Sequence, residues 1–168
     1  MILNRQRGVA VSLASLERFW RQVLEALRLP EDSMTICLVS ETEIARWNRA
    51  YRSKTGSTDV LSFPAEEDGH GRLAAGNGSR GRRGVRGVRK RLPLAGELEA
   101  AGYLGDIAIA PAVARRNARR LGRSLGSELR ILMLHGSLHL LGYDHERDNG
   151  EMERLERRLR RRLGLGAK

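Results

Sequence analysis

His135-Gly136-Ser137-Leu138-His139-Leu140-Leu141-Gly142-Tyr143-Asp144-His145 closes a long apolar stretch of the chain. Upstream, Ser124 to Ser127 opens a helix that runs to about Leu141. Leu129, Ile131, Leu132, Met133, Leu134, Leu138, Leu140 and Leu141 make it apolar nearly all round. Such a helix is buried, so the fold is built around it. His135 and His139 are four apart and leave one face a turn apart. Gly142 ends the helix and lets the chain turn sharply, so that His145 can swing back as a third ligand. A lone histidine on an apolar helix reads as a packing or capping residue. Two at ligand spacing, a glycine stop and a third histidine reverse that reading. Three imidazole nitrogens leave a fourth position open, as in catalytic zinc sites. Zinc bound there brings the pKa of a water to about 7. The expectation is one metal per chain on His135, His139 and His145. Zinc suits three imidazoles best, and nickel or copper also fits.

The spacing His-x3-His-x2-Gly-x2-His is that of the metzincin proteases. Those proteins place Glu after the first His as general base, where this chain has Gly136. The ligand frame is kept and the protease base is missing, which argues against peptide hydrolysis. Gly inside a helix costs about 1 kcal/mol relative to Ala. A helix accepting that beside a ligand needs close packing or an open approach there. His70, alone in a Gly-rich stretch, reads as a solvated residue.

Working outward, Ile2 to Val11 reads as a first strand. From Ser12, Leu13, Leu16, Phe19, Trp20, Val23, Leu24 and Leu27 fall at helical spacing, and Pro30 marks the exit. Met34 to Val39 reads as a buried strand with Cys37 as an inert core thiol. Ser40 to Glu43 is a capping box for a helix with Ile44, Trp47 and Tyr51 on one face. Lys54 to Ser57 is a loop, and Thr58 to Phe63 a short strand stopped by Pro64. Tyr103 to Ala110 is another strand. Pro111 opens a helix to about Leu121, with Arg115, Arg116, Arg119 and Arg120 as its basic flank. The last helix, about Gly150 to Leu163, sets Met152, Leu155, Leu159 and Leu163 on one stripe with arginines opposite.

At 168 residues, the chain has one domain's length and can bury a sizeable core. Its net charge of +11 favours polyanionic partners, nucleic acid first and an anionic membrane surface second. Aromatics make up only 4%, which excludes a platform of many stacked rings. Much of the excess charge is local. Gly69 to Gly96 holds eight of the 19 glycines and eight basic residues without an acid, and without it the net charge falls to +3. It reads as a flexible basic insertion at about 69–96, either a solvated loop or a tether that grips phosphates without sequence preference. A single cysteine excludes an internal disulfide framework, so no disulfide partner is expected. No apolar stretch approaches the roughly 18 residues of a membrane span. Arg5 and Arg7 before Gly8 to Val11 faintly suggest a signal peptide, but Ser12, Ser15 and Glu17-Arg18 interrupt it. The expected location is cytoplasmic, with no membrane partner.

His135 to His145 resembles the signature of the YbeY family, bacterial endoribonucleases also called rRNA maturation factors. Tyr51-Arg52-x5-Thr58-Asp59-Val60-Leu61-Ser62-Phe63-Pro64 resembles that family's second motif, and Leu104-Gly105-Asp106-Ile107 its third. The resemblance covers most of the chain outside Gly69 to Gly102. It implies a fold of the α/β (α+β) class: a single compact domain over 1–168, with a small mixed sheet packed by helices and a metal-binding cleft. It further implies metal-dependent, single-strand-specific endoribonuclease activity in 16S rRNA 3′-end maturation and ribosome quality control. The implied partners are rRNA and the small ribosomal subunit, with a ribosomal protein and an assembly GTPase beside them. Arg52 matches the family's functional arginine beside the metal, and a guanidinium can hold a phosphodiester in two places. Asp106 and Asp144 are the candidate general bases, each also able to orient a histidine or cap a turn. The family often has Pro where Ser57 stands, which predicts a looser loop there. The rival readings are a non-catalytic ribosome-assembly factor with a structural metal and a metallohydrolase of another substrate.

Overall fold

The structure is a computed structural model that describes residues 1–65, 102–145 and 147–166. Its sheet holds β1 (Ile2–Asn4), β2 (Met34–Leu38), β3 (Val60–Pro64) and β4 (Gly105–Ile109), in the spatial order β1-β2-β4-β3. The first three in that order run parallel, and β3 lies antiparallel on β4. Around the sheet stand α1 (Leu13–Leu27), α2 (Glu41–Arg52), α3 (Pro111–Arg120), α4 (Leu125–Leu140) and α5 (Glu151–Arg162). This is the expected compact α/β fold with a small mixed sheet.

Strand alternation divides the core into two layers. Met34, Ile36, Leu38, Ile107 and Ile109 face the apolar residues of α1, α4 and α5. Cys37, Leu61, Phe63 and Ala108 face the other way, with Ile44 of α2 and Val113 of α3. The interior strand β4 is buried along its whole length, as its apolar run Ile107 to Ile109 predicts. Helix α4 packs against α1, α3, α5, β3 and β4, which is why it needs apolar residues nearly all round.

The glycine of Leu104-Gly105-Asp106 has a steric reason. Gly105 pairs with Pro64 at the β3–β4 joint with φ 137°, and a Cβ there would stand 2.1 Å from the Phe63 carbonyl oxygen. Only glycine permits that approach.

Three sequence readings need correction or completion. The first strand stops at Asn4 rather than Val11. Arg5 N–H still donates to Leu38 O, but the Gln6 side chain then bonds both the N–H and the carbonyl of Val9 at 2.9 Å, closing a local turn. At α2, Ser40 Oγ accepts from Glu43 N at 3.2 Å, while the Glu43 carboxylate pairs with Arg5. The loop at Ser57 is tied rather than loose. Ser57 Oγ donates to Glu41 Oε1 at 2.8 Å, and Asn48 Nδ2 donates to Gly56 O at 3.1 Å. Cys37 is a buried free thiol, with its pKa pushed up chiefly by burial. The basic insertion at about 69–96 and His70 lie outside the described residues. Among the described residues, no helix is long and apolar enough to cross a membrane.

Candidate metal centre

The histidine turn is set by the end of α4. Gly142, at φ 85°, donates its N–H to His139 O, and Tyr143 N–H reaches back to Leu138 O, both at 3.0 Å. This left-handed ending needs a residue without a Cβ penalty. Tyr143 follows it into the core at 6% exposure, and the chain is thereby aimed so that His145 returns toward the helix.

His135, His139 and His145 come together. Each offers a ring nitrogen, and the three nitrogens lie within 4.8 Å of one another. The Nε2 atoms of His135 and His139 are 3.1 Å apart, and the ring centroids stand 4.7, 5.4 and 5.3 Å from each other. Such a cluster could hold a metal ion. Burial, then the neighbouring His135 and His145, push the His139 pKa below its ordinary value. That favours the neutral ring, the form a metal ligand must take. A donor set of imidazoles without a carboxylate suits zinc, nickel or copper better than magnesium or calcium.

Gly136 answers to close packing. A Cβ on it would meet Ile107 Cγ2 at 2.6 Å and Ser62 Oγ at 3.2 Å. Ser62 Oγ donates to the Gly136 carbonyl at 3.1 Å, so the ligand-bearing turn is seated directly on β3 and β4. The serine of Val60-Leu61-Ser62-Phe63 therefore helps to place the histidines.

The two candidate aspartates separate. Ile107 touches the Gly136 position, so its neighbour Asp106 points to the opposite face of the sheet. There Asp106 is buried and accepts a 2.6 Å bond from Tyr103 Oη. Burial, then that bond, push the Tyr103 pKa up to about 12. Asp106 thus does structural work, and of this pair Asp144, next to His145, is the one on the histidine side. Asp148 is spent on α5: its carboxylate accepts from the N–H groups of Gly150, Glu151 and Met152 at 2.8–3.0 Å.

Arg52 is the exposed last residue of α2. The preceding turn leans on β3 through edge-on contacts of Trp47 and Tyr51 with Phe63, at 5.8 and 5.1 Å. Phe63 belongs to the sheet face turned away from α4. Helices α2 and α4, which carry Arg52 and the first two histidines, therefore pack on opposite faces of the sheet.

Sequence reasoning missed Glu156. It accepts from His135 Nδ1 at 3.2 Å and from Arg160 Nη2 at 2.5 Å, and it is 9% exposed. Burial pushes its pKa up, but the bond to His135 and the charges of His135 and Arg160 outweigh it and leave the carboxyl below its ordinary value. The signal was present in the helical pattern. Met152, Leu155 and Leu159 form the buried stripe of α5, and position 156 lies one helical turn from 152 on its flank. An acid in that row needs a partner.

Comparison with known proteins gives a consistent result. The family model described as Endoribonuclease YbeY matches residues 1–164. The chain is 38% identical over 165 residues to the endoribonuclease YbeY of Koribacter versatilis, covering 98% of this chain and 86% of that one. It is 35% identical over 160 residues to that of Aquifex aeolicus, covering 94% and 85%. A solution structure of a Thermotoga maritima protein matches 97% of this chain and 89% of its own with a TM-score of 0.55. At 24% identity that likeness speaks for the fold alone.

Proposed function

The chain belongs to the YbeY family of endoribonucleases, and from that premise we propose that it cleaves single-stranded RNA with the help of one divalent metal, zinc in the first place, held by His135, His139 and His145. The observation that carries the metal is the convergence of three imidazole nitrogens within 4.8 Å at the end of a buried helix. A metal held there by His135, His139 and His145 would supply Lewis acidity to a water or a phosphate oxygen. The protein's own part is positioning and charge. The three imidazoles would hold the metal, Ser62 and Ile107 seat their turn, and Arg52 would hold the scissile phosphodiester by two oxygens. Asp144 is the acid next to the ligands and the better of the two candidates for taking a proton.

The biological setting we infer is 16S rRNA 3′-end maturation and ribosome quality control in the cytoplasm. The partners would be rRNA, the small ribosomal subunit, a ribosomal protein and an assembly GTPase. The net charge of +11 supports a polyanionic substrate over a neutral one. The basic segment Gly69 to Gly96 adds phosphate affinity within the same single-domain chain.

Elemental analysis of protein purified without added metal, paired with cleavage of a single-stranded RNA, tests this reading. One metal per chain and cleavage lost on chelation are expected. Protein that binds ribosomal subunits but cleaves nothing would move the reading to an assembly factor. Deleting residues 69–96 is expected to keep the metal and flatten the salt dependence of RNA binding. An unchanged salt slope would show that those charges do not touch RNA.

A further inference from the structure

Glu156 stands outside the roles described so far, and its geometry is specific. His135 presents its two ring nitrogens to two different neighbours. Nε2 faces His139 Nε2 at 3.1 Å, on the side where the three histidines converge. Nδ1 faces Glu156 Oε2 at 3.2 Å. A carboxylate only accepts, so the bond puts a proton on Nδ1, and in the neutral ring that leaves Nε2 with its lone pair. The other carboxylate oxygen is held by Arg160 at 2.5 Å, and both side chains are largely buried. The carboxylate is therefore clamped from behind while it orients the ring in front.

We infer that Glu156 is a positioning residue for the metal: it fixes His135 as the Nδ1–H tautomer and fixes the ring's rotation, so that the Nε2 lone pair points at the ion. The inference rests on the metal reading given above. It assigns Glu156 no contact with substrate and no proton transfer. It also gives α5 a part in the site, since Glu156 and Arg160 both lie on that helix. Removing a carboxylate behind a ligating histidine lowers metal affinity on the order of 10–100-fold. A Gln at 156 keeps one acceptor, its amide oxygen; turned to His135 Nδ1 it preserves the tautomer and gives up the Arg160 bond, so it should retain more affinity than a residue that accepts nothing. A Leu fills similar space and accepts nothing.

The test compares wild type, Glu156→Gln and Glu156→Leu, each confirmed as folded by circular dichroism. Zinc affinity is measured by competition with a chelator. The tautomer of His135 is read by long-range proton–nitrogen NMR, with and without zinc. Expected are a loss of about 10–100-fold for Leu, a smaller loss for Gln, and the Nδ1–H tautomer in wild type and Gln but not in Leu. Equal zinc affinity in wild type and the Leu variant, or an Nε2–H tautomer in the wild type, would overturn the inference. Wild type that binds no zinc would sink the metal reading instead. The tautomer in the metal-free protein would still decide whether Glu156 orients the ring.

Discussion

Two helix ends hold the residues proposed for the chemistry, and they are built in opposite ways. Helix α4 ends inside the core: Leu138, Leu140 and Leu141 are buried, and Gly142 makes the left-handed turn. Helix α2 ends in solvent: only Ile44 and Asn48 of its 12 residues are buried, and a serine, Ser53, takes the left-handed position at φ 56°. The contrast follows the ligands. A metal needs three nitrogens fixed to within tenths of an ångström, which close packing on a sheet provides. A phosphate, if Arg52 meets one as proposed, would be reached by a long guanidinium stem on an exposed helix end.

The comparison can be broken at its strongest point by His135→Ala, His139→Ala and His145→Ala together. Metal content should fall from one per chain to background, and full retention by elemental analysis would place the metal elsewhere. Arg52→Lys probes the other end. It keeps the charge and loses the planar fork, so single-turnover cleavage of RNA should slow by about tenfold or more with fold and metal content intact. Equal rates at equal metal occupancy would take Arg52 out of the mechanism.

Smaller effects sharpen the contrast. Gly136→Ala adds a methyl against Ile107, a clash costing about 1–3 kcal/mol, and gains about 1 kcal/mol in helix propensity. The net loss should be on the order of 1 kcal/mol, seen as a Tm lower by a few degrees. An unchanged Tm would show that α4 has room to shift. Ser53→Gly relieves a left-handed serine and should stabilise by at most about 1 kcal/mol without changing metal content. A loss of stability would mean that the serine side chain matters more than its backbone.

The same contrast explains what the sequence made legible. The histidine trio announced itself because ligand spacing on a helix is local: four residues, a glycine, three more. The buried character of α4 and β4 was readable for the same reason, from runs of apolar residues. Glu156 was not, because its partner lies 21 positions away and the contact exists only once α5 packs on α4. Asp106 was left open between candidate base and structural residue, and strand alternation turns it to the face away from the histidines, where Tyr103 bonds it. The first strand was overextended because a side chain, Gln6, supplies the bonds that a strand neighbour would have supplied.

The seating of Gly136 also bears on how such sites can change over time. The ligand spacing is shared with peptidases that carry a glutamate at that position, and the two chemistries look one codon apart. In this fold they are not. Position 136 points into the sheet, where even a β-carbon collides with Ile107, so a glutamate there would meet strand side chains before it could meet a water. Conversion would require Ile107, Ser62 and the helix–sheet spacing to change together. The site is thus set apart from its look-alikes by packing.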